Sequence, residues 1–303
     1  MDGLMEGKSV VVTGAGRGIG LAIAQLMASE GASVVINDLG VSLTGDKEGD
    51  DPASEAAAEI RASGGQAIAN GESVASWESA ERIVGAALEA FGRIDAVVNC
   101  AGIIRDRMFH RMEPSDWSDV IDVHLNGTFY MSRAAAPHFR EQGSGAYVHI
   151  TSNSGLIGAL GQASYAAAKA GIVGLSRSIA IDMAKFNVRS NCLSPAAYSR
   201  MVASMSGDDN SQLVEAAKAS MSPEQIAPLA VLLASDAAAS ITGQILGARG
   251  NEMYLFNQSR PIRTLHRGDG WTPQALADQL VPAWQSSFTP LERGRDVFPW
   301  DPI

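Results

Sequence analysis

Residues 9–25 read SVVVTGAGRGIGLAIAQ, a β-branched run that ends in a glycine-rich turn and passes directly into an Ala-rich helical stretch. Glycines at positions 14, 16, 18 and 20 let the backbone turn tightly and let a ligand approach the main chain. The helix start that follows offers free N–H groups and the positive end of a dipole, which together attract phosphate. The spacing is Gly-x3-Gly-x-Gly, with Ile19 where the more general G-x-G-x-x-G has its third glycine. The stretch predicts a strand–turn–helix unit that holds the pyrophosphate of a dinucleotide, although a glycine-rich turn alone is weak support.

The pattern around this turn repeats, because short β-branched runs alternate with Ala-rich helical stretches from Lys8 to about Gly250. Such alternation is typical of crossover units, so we predict an α/β fold: a doubly wound, seven-stranded parallel sheet with helices on both faces. The expected strands are Ser9–Thr13, Ser33–Asp38, Gln66–Asn70, Ile94–Asn99, Ala146–Thr151, Val188–Leu193 and Gln244–Gly247. The expected helices are Ile19–Glu30, Pro52–Ala62, Ser76–Phe91, Pro114–Arg140, Ser164–Lys185 and Pro223–Ala234.

After Gly250 the sequence becomes Pro-rich and aromatic. We therefore predict two parts, a nucleotide-binding catalytic domain over residues 1–250 and an extension over residues 251–303. Apolar side chains at this density have to be buried against something, so the extension is expected to pack on the domain or on a neighbouring subunit. Its large aromatic residues are Trp271, Trp284, Phe288, Phe298 and Trp300.

Composition excludes several classes of protein. The formal net charge of -10 disfavours nucleic acid and anionic membranes as main partners. No apolar stretch reaches the length of a membrane span, and the first residues lack a signal-peptide pattern, so a cytoplasmic location is expected. Cys100 and Cys192 lie in apolar stretches as free thiols, and the histidines show no metal-ligand spacing, so no metal site is predicted.

An acidic residue at the end of the second strand predicts which dinucleotide binds. Asp38 lies eighteen residues beyond Gly20, where a carboxylate can accept hydrogen bonds from the adenosine ribose hydroxyls. The 2′-phosphate of NADP would be attracted by Arg17 alone but repelled by Asp38 and by the acidic loop that follows, Asp46, Glu48, Asp50 and Asp51. The sequence therefore predicts NAD, and the simpler alternative is that Asp38 is a turn residue.

Three residues predict proton transfer at the other end of the site. Tyr165 and Lys169 are four apart in a helical run, so they project from one face. An ammonium beside a phenol stabilises the phenolate, so we expect the pKa of Tyr165 to be lowered. Ser152 follows the fifth strand, where its hydroxyl could bind a substrate oxygen. Each residue alone would more often be a surface or capping residue, but their joint spacing favours a catalytic set.

These motifs resemble one family. Thr13–Gly20, Asn99-Cys-Ala-Gly102, Ser152 and Tyr165-Ala-Ala-Ala-Lys169 are together similar to the short-chain dehydrogenases/reductases, over essentially all of residues 8–250. The resemblance implies that Tyr165 donates or accepts the proton, that Lys169 supports it and holds the nicotinamide ribose, and that Ser152 binds the substrate oxygen. It also implies a dimer or tetramer. The implied cofactor-binding residues are Gly14, Arg17, Gly18, Ile19, Gly20, Asp38, Glu72, Ser73, Asn99, Ala101, Gly102, Tyr165, Lys169 and Pro195.

A narrower resemblance is to the (3R)-hydroxyacyl-CoA dehydrogenase unit of peroxisomal multifunctional β-oxidation enzymes, a 17β-hydroxysteroid dehydrogenase type. The segments that carry it are residues 37–40, 102–107, 123–125, 194–201 and 270–273. His124 stands where most of the broader family has a catalytic asparagine, so it is a catalytic candidate, with a core histidine bonded to backbone as the alternative. Cys100 replaces a second asparagine, and Glu72-Ser73 replaces an aspartate-led pair near the adenine.

The favoured hypothesis is therefore NAD-dependent oxidation of a 3-hydroxyacyl-CoA from a fatty acid or a steroid side chain. Two arginine clusters suggest how the phosphates of CoA are received, with Arg105 and Arg107 as the substrate-binding candidates, although arginines of this kind are often solvated or in ion pairs. Reduction of a free hydroxysteroid or other ketone is the alternative, and a non-catalytic nucleotide-binding protein is a third possibility. The clusters are Arg105, Arg107 and Arg111, and Arg260, Arg263 and Arg267.

Overall fold

The strands of the protein form one sheet. A computed structural model of the chain describes residues 3–42, 44–46, 49, 51–197, 221–268 and 270–300. Within those residues the sheet has eight strands in the order β3-β2-β1-β4-β5-β6-β7-β8. The strands are β1 (Ser9–Thr13), β2 (Ser33–Asn37), β3 (Gln66–Asn70), β4 (Ala96–Asn99), β5 (Gly145–Ile150), β6 (Val188–Ala196), β7 (Ile245–Arg249) and β8 (Glu252–Leu255).

The first seven strands are parallel, as predicted. The eighth strand is a difference from the prediction, since β8 pairs antiparallel with β7 in the register Arg249↔Glu252 to Leu246↔Leu255. A two-residue turn joins the two strands, and Gly250 has a φ of 57° there, which glycine adopts without strain. Part of the extension is thus an edge strand of the sheet.

Helices cover both faces of the sheet, which confirms the predicted doubly wound class. The predicted helix at Pro52–Ala62 has the same limits in the structure, because Asp51 caps its first turn through the Ser54 N–H and proline suits its first position. The helices are α1 (Gly18–Ser29), α2 (Pro52–Ala62), α3 (Trp77–Phe91), α4 (Pro114–Ile121), α5 (Gly127–Gln142), α6 (Asn153–Leu156), α7 (Ala163–Met183), α8 (Ala227–Ala234), α9 (Pro273–Trp284) and α10 (Gly294–Val297).

The predicted helix at Pro114–Arg140 is interrupted by a π-helical turn. Asp122–Asn126 form this turn between α4 and α5. A π-helical turn inserts one extra residue into an α-helix, and such turns are frequent at functional sites. His124 is at its centre.

The core consists of two apolar layers, one on each face of the sheet. Alternate residues of β1 enter different layers: Val10 and Val12 pack with the residues of α1, α2 and α8, whereas Val11 packs with those of α3 and α5. All three side chains are fully buried, which explains why this strand has a continuous apolar run instead of an alternating pattern.

The strand order reverses between β1 and β4, since the chain runs outward from β1 to β3 and then returns to the other side of β1. The carboxyl ends of parallel strands at such a reversal leave a crevice in which ligands bind. No helix in the described ranges has the length and apolar character needed to cross a membrane. Glu48 and Asp50 of the acidic loop, and residues 198–201 of the narrower resemblance, lie outside the described residues.

Candidate active site

The glycine-rich turn lies in the crevice and touches the end of β4. Gly14 has a φ of 62°, and a Cβ added there would lie 2.7 Å from the Ala101 Cα. The Thr13 hydroxyl oxygen accepts hydrogen bonds from the N–H groups of Cys100 (3.0 Å) and Ala101 (3.1 Å). A Cβ on Gly20 would collide with the Gly14 carbonyl. The turn can therefore take this path only because Gly14 and Gly20 lack side chains.

Asp38 is held at the edge of the same crevice by main-chain donors. Its Oδ2 accepts a hydrogen bond from the Gly16 N–H and its Oδ1 accepts one from the Gly40 N–H, both at 2.9 Å. Each carboxylate oxygen has a second lone pair that remains available. Asp38 is thus a fixed acceptor beside the glycine turn, as ribose hydroxyl recognition requires.

Ser152, Tyr165 and Lys169 lie together across the crevice from the turn. Ser152 follows β5 and hydrogen-bonds the Tyr165 side chain, which α7 carries. The Lys169 Nζ lies 5.5 Å from the centre of the Tyr165 ring and donates to the Ile150 carbonyl at 2.7 Å. Only 3% of Lys169 is exposed. The three side chains thus form one cluster, in which Lys169 is buried and Ser152 and Tyr165 are partly buried.

Burial decides the protonation of this cluster. It raises the pKa of Tyr165 to about 12 because the phenolate loses solvation, although the hydrogen bond from Ser152 acts in the opposite direction. Burial also lowers the pKa of Lys169 to about 8. The expected lowering of the pKa of Tyr165 is therefore not found, since the loss of solvation outweighs the hydrogen bond from Ser152. At neutral pH Tyr165 is a protonated phenol that can donate.

His124 packs against Tyr165 from the π-helical turn. The two rings meet edge to face with their centres 5.2 Å apart. The His124 Nε2 lies 2.9 Å from the Ile103 carbonyl oxygen and 3.1 Å from the Ile103 nitrogen. Burial lowers the pKa of His124 to about 3, so the ring is neutral, and its Nδ1 is buried with no partner among the described residues. The backbone contacts match a core histidine, whereas the unpartnered Nδ1 leaves one polar atom for another role.

One cavity of about 820 Å³ connects these groups. Every site residue predicted from the sequence lines it except Asn99 and Arg107. The predicted residues that line it are Gly14, Arg17, Gly18, Ile19, Gly20, Asp38, Glu72, Ser73, Ala101, Gly102, Arg105, His124, Ser152, Tyr165, Lys169 and Pro195. The cavity thus joins the glycine-rich turn, the fixed carboxylate of Asp38 and the cluster of Ser152, Tyr165 and Lys169.

A model of the short chain dehydrogenase family matches residues 8–211 of this chain. The chain belongs to this family. A crystal structure of a short chain dehydrogenase from Mycobacterium avium superposes with a TM-score of 0.83, at 35% sequence identity, over 95% of this chain and 98% of the other. The fold and the family assignment thus agree.

The relatives whose names mention a function include two that match most of this chain. The peroxisomal multifunctional enzyme type 2 of Mus musculus is 41% identical over 274 residues, which cover 90% of this chain but 36% of that enzyme. The hydroxyacyl-CoA dehydrogenase ChsB1 of Mycobacterium tuberculosis is 35% identical over 286 residues, which cover 91% of this chain and 88% of the relative. The predicted similarity to the dehydrogenase unit of the multifunctional enzymes is confirmed.

The glycine-rich turn of this dehydrogenase fits the nicotinamide dinucleotide, NAD or NADP, that the family generally uses. Gly18 has a φ of 57°, and a Cβ added there would meet nothing within 4 Å, so its main chain faces open space. The N–H groups at the start of α1 follow directly. A pyrophosphate can thus approach the backbone at this point without displacing a side chain.

The structure places two predicted residues outside the cavity. Asn99 is 6% exposed, and its Nδ2 lies 3.0 Å from His149 Nδ1 and 3.3 Å from Ser132 Oγ, so the side chain belongs to a buried polar network beneath the site. Arg107 forms an ion pair with Asp116 at 2.9 Å. Neither side chain lines the cavity of the dehydrogenase.

The other arginines differ in where they lie. Arg105 lines the cavity and pairs with Asp119 at 3.3 Å. Arg260 follows Gln258, which donates a hydrogen bond to the Gly243 carbonyl just before β7 begins. The amino end of β7 lies at the side of the sheet opposite the cavity, which is at the carboxyl ends of the strands. Two residues of chain span only about 7 Å. Arg260 is therefore far from the cavity of its own chain.

The extension also contacts the dehydrogenase domain near the site. A Cβ added to Gly158 would lie 3.5 Å from the Glu292 carbonyl oxygen, and one added to Gly294 would lie 3.6 Å from the Asn153 Cβ. Trp300 is held further along, since its Nε1 donates to Glu252 at 2.8 Å and its carbonyl accepts from Arg249. Residues 292–294 thus lie against the segment that follows Ser152.

Sequence reasoning did not single out three polar residues near Tyr165. Ser154 and Gln162 line the cavity, and Asp106 is bonded to Gln162. Gln162 is three residues before Tyr165 and immediately precedes the helix. This position is the signal in the sequence that indicates Gln162.

Proposed function

We propose that this dehydrogenase oxidises a 3-hydroxyacyl-CoA to the corresponding 3-oxoacyl-CoA with NAD as acceptor. The observation that carries the reaction type is the cluster of Ser152, Tyr165 and Lys169 in the same cavity as the glycine-rich turn. The names of the mouse and mycobacterial relatives support the substrate class.

The chemistry divides between the cofactor and the chain. The nicotinamide would supply the hydride acceptor. Ser152 and Tyr165 would both bind the substrate oxygen, where two fixed hydrogen-bond partners stabilise the charge that develops. Tyr165 takes the hydroxyl proton in oxidation and returns it in reduction. His124 supports the Tyr165 ring by edge-to-face packing.

The pKa of Tyr165, at about 12, gives this reaction a direction of pH dependence. Oxidation needs the phenolate, whose fraction grows with pH, whereas reduction needs the phenol that is present at neutral pH. We therefore expect kcat/KM for alcohol oxidation to rise between pH 7 and pH 10 and that for ketone reduction to stay level or fall. Because reduction needs the phenol that is present at neutral pH, reduction of a free ketone is the second candidate function.

Asp38 supports NAD over NADP. A 2′-phosphate would bring negative charge beside a carboxylate that two main-chain N–H groups fix in place, so it could not move away. Asp38→Asn should raise KM for NAD and lower KM for NADP, which initial-rate assays with both cofactors measure. Glu55→Gln on the exposed first turn of α2 is the control for loss of a nearby carboxylate. Equal preference in wild-type protein would contradict the assignment.

Arg105 is the residue of the predicted pair that can reach a CoA ester in this cavity. Arg105→Ala should raise KM for a 3-hydroxyacyl-CoA much more than KM for a neutral secondary alcohol, because phosphates lose a cation. Asp119→Asn breaks the same ion pair while keeping the arginine, so it separates the charge from the pairing. Equal effects of Arg105→Ala on both substrates would favour a free hydroxysteroid or other ketone as the natural substrate.

Three further parts of the interpretation remain predictions. They are a division at residue 250, a cytoplasmic location and a homodimer or homotetramer. Light scattering after size-exclusion chromatography measures the last of these, and a monomer would contradict it.

A further inference from the structure

Three side chains form a hydrogen-bonded chain along the cavity wall, which we call the Asp106 chain: Asp106, Gln162 and Ser154. The Gln162 Nε2 donates to Asp106 Oδ2 at 2.8 Å, and the Ser154 hydroxyl donates to Gln162 Oε1 at 2.8 Å. Gln162 is only 5% exposed. Because the carboxylate can only accept, it determines which end of the Gln162 amide faces Ser154.

The Asp106 chain ends at the catalytic serine. The Ser154 N–H donates to Ser152 Oγ at 3.2 Å, within the short turn that begins α6. The Arg107 N–H donates to the Gly161 carbonyl at 2.8 Å, so the segment after β4 and the loop before α7 are fastened beside Asp106 as well. The carboxylate thus connects three separate segments that surround the substrate oxygen.

Asp106 also acts on Tyr165 through its charge. The groups that contact the Tyr165 side chain or act on it through charge are Ser152 after β5, Lys169 on the same helix, His124 on the π-helical turn, Cys100 after β4 and Asp106. His124 is neutral, and burial raises the pKa of the Cys100 thiol to about 11, so that group is neutral as well. Asp106 is the carboxylate among them, and its negative charge disfavours the phenolate.

We propose that Asp106 is a positioning residue of the acid–base site, which fixes Ser152 through Gln162 and Ser154 and restrains ionisation of Tyr165 by its charge. This inference rests on the proposed dehydrogenase function for its kinetic consequence. It does not rest on the identity of the alcohol. The two actions of Asp106 can be separated because one needs a hydrogen-bond acceptor and the other needs a charge.

Asp106→Asn removes the charge and keeps an acceptor for Gln162. With a secondary alcohol as substrate, its kcat/KM profile should move toward lower pH by about half a unit, with KM nearly unchanged. Gln162→Leu keeps the charge and breaks the chain, so KM should rise and kcat should fall while the midpoint of the profile moves less. Asp182→Asn, an exposed carboxylate far along α7, is the matched control and should leave the profile in place.

A second measurement needs no turnover. In ¹⁵N NMR spectra the signal of the Gln162 side-chain amide is assigned by its loss in Gln162→Leu. Its chemical shift should change as Asp106 deprotonates, with a midpoint above the usual pKa of an aspartate because burial raises the pKa of Asp106. The same signal should be flat in Asp106→Asn. A flat signal in wild-type protein, or an Asp106→Asn profile that matches Asp182→Asn, overturns the proposal. If the amide titrates but no alcohol is oxidised, the proposed function fails and the positional contact remains.

Discussion

Substituting alanine at Gly14 tests whether the glycine-rich turn is required by space as well as by backbone conformation. At a φ of 62° an L-residue pays about 1–2 kcal/mol, offset by about 0.4–1 kcal/mol because alanine restricts the unfolded chain. The new Cβ would also lie 2.7 Å from Ala101 Cα, an overlap that adds about 1–3 kcal/mol as the two strand ends move apart. Gly14→Ala should therefore lower the free energy of unfolding by about 1–5 kcal/mol.

Gly18 provides the matched comparison, because its φ is 57° but a Cβ there meets nothing within 4 Å. Gly18→Ala should cost only about 1 kcal/mol, from conformation alone. Urea unfolding followed by tryptophan fluorescence measures both variants without added cofactor. If the two free energies agree within about 0.5 kcal/mol, the overlap with Ala101 is not a constraint and the reasoning fails.

The remaining predictions concern ionisable groups of the site. Tyr165→Phe should reduce kcat by about 10²- to 10⁴-fold while NADH still binds, as cofactor fluorescence would show; unchanged kcat would remove Tyr165 from the mechanism. Lys169 has a pKa lowered to about 8, so stability should rise as pH increases from 8 toward 10.5, and Lys169→Met should lose that rise in urea titrations. His124 and His149 are buried with pKa values lowered to about 3. The stability that the two neutral rings contribute is present above pH 6.5 and is lost as pH falls toward 3. His149→Asn should therefore weaken the fall in the free energy of unfolding below pH 6.5, and an unchanged fall would contradict this.

The fold was predictable because its signals are local. β-Branched runs and capping residues fix the strands and helices, as at Pro52–Ala62, where an aspartate cap and a proline begin the helix. The edge strand at Glu252–Leu255 was not predicted, although Gly250-Asn251 is a recognised hairpin signal, because its four residues include no β-branched side chain. The π-helical turn at Asp122–Asn126 has no local signature, since the residues on both sides are helical.

The sequence predicted which residues form the site better than it predicted their pKa values. The spacing of Tyr165 and Lys169 put both side chains on one face, but the pKa of Tyr165 depends on burial, which arises only when α7 packs against β5 and the π-helical turn. The contact made by Asp106 could not be predicted from the sequence either. Its contact with Gln162 joins residues 56 positions apart, and nothing near either residue indicates the partner.

The attachment of residues 292–300 has a practical consequence for preparing the protein. Removing residues 292–300 in a shortened version would take away their contacts with Gly158 and Asn153 and the hydrogen bond from Trp300 to Glu252, so the segment that follows Ser152 would lose a neighbour. Met5 is different, since its N–H donates to the Glu30 carbonyl at the sheet edge where β1 starts. The Met5 contact thus lies at the amino ends of the parallel strands, away from the cavity at their carboxyl ends.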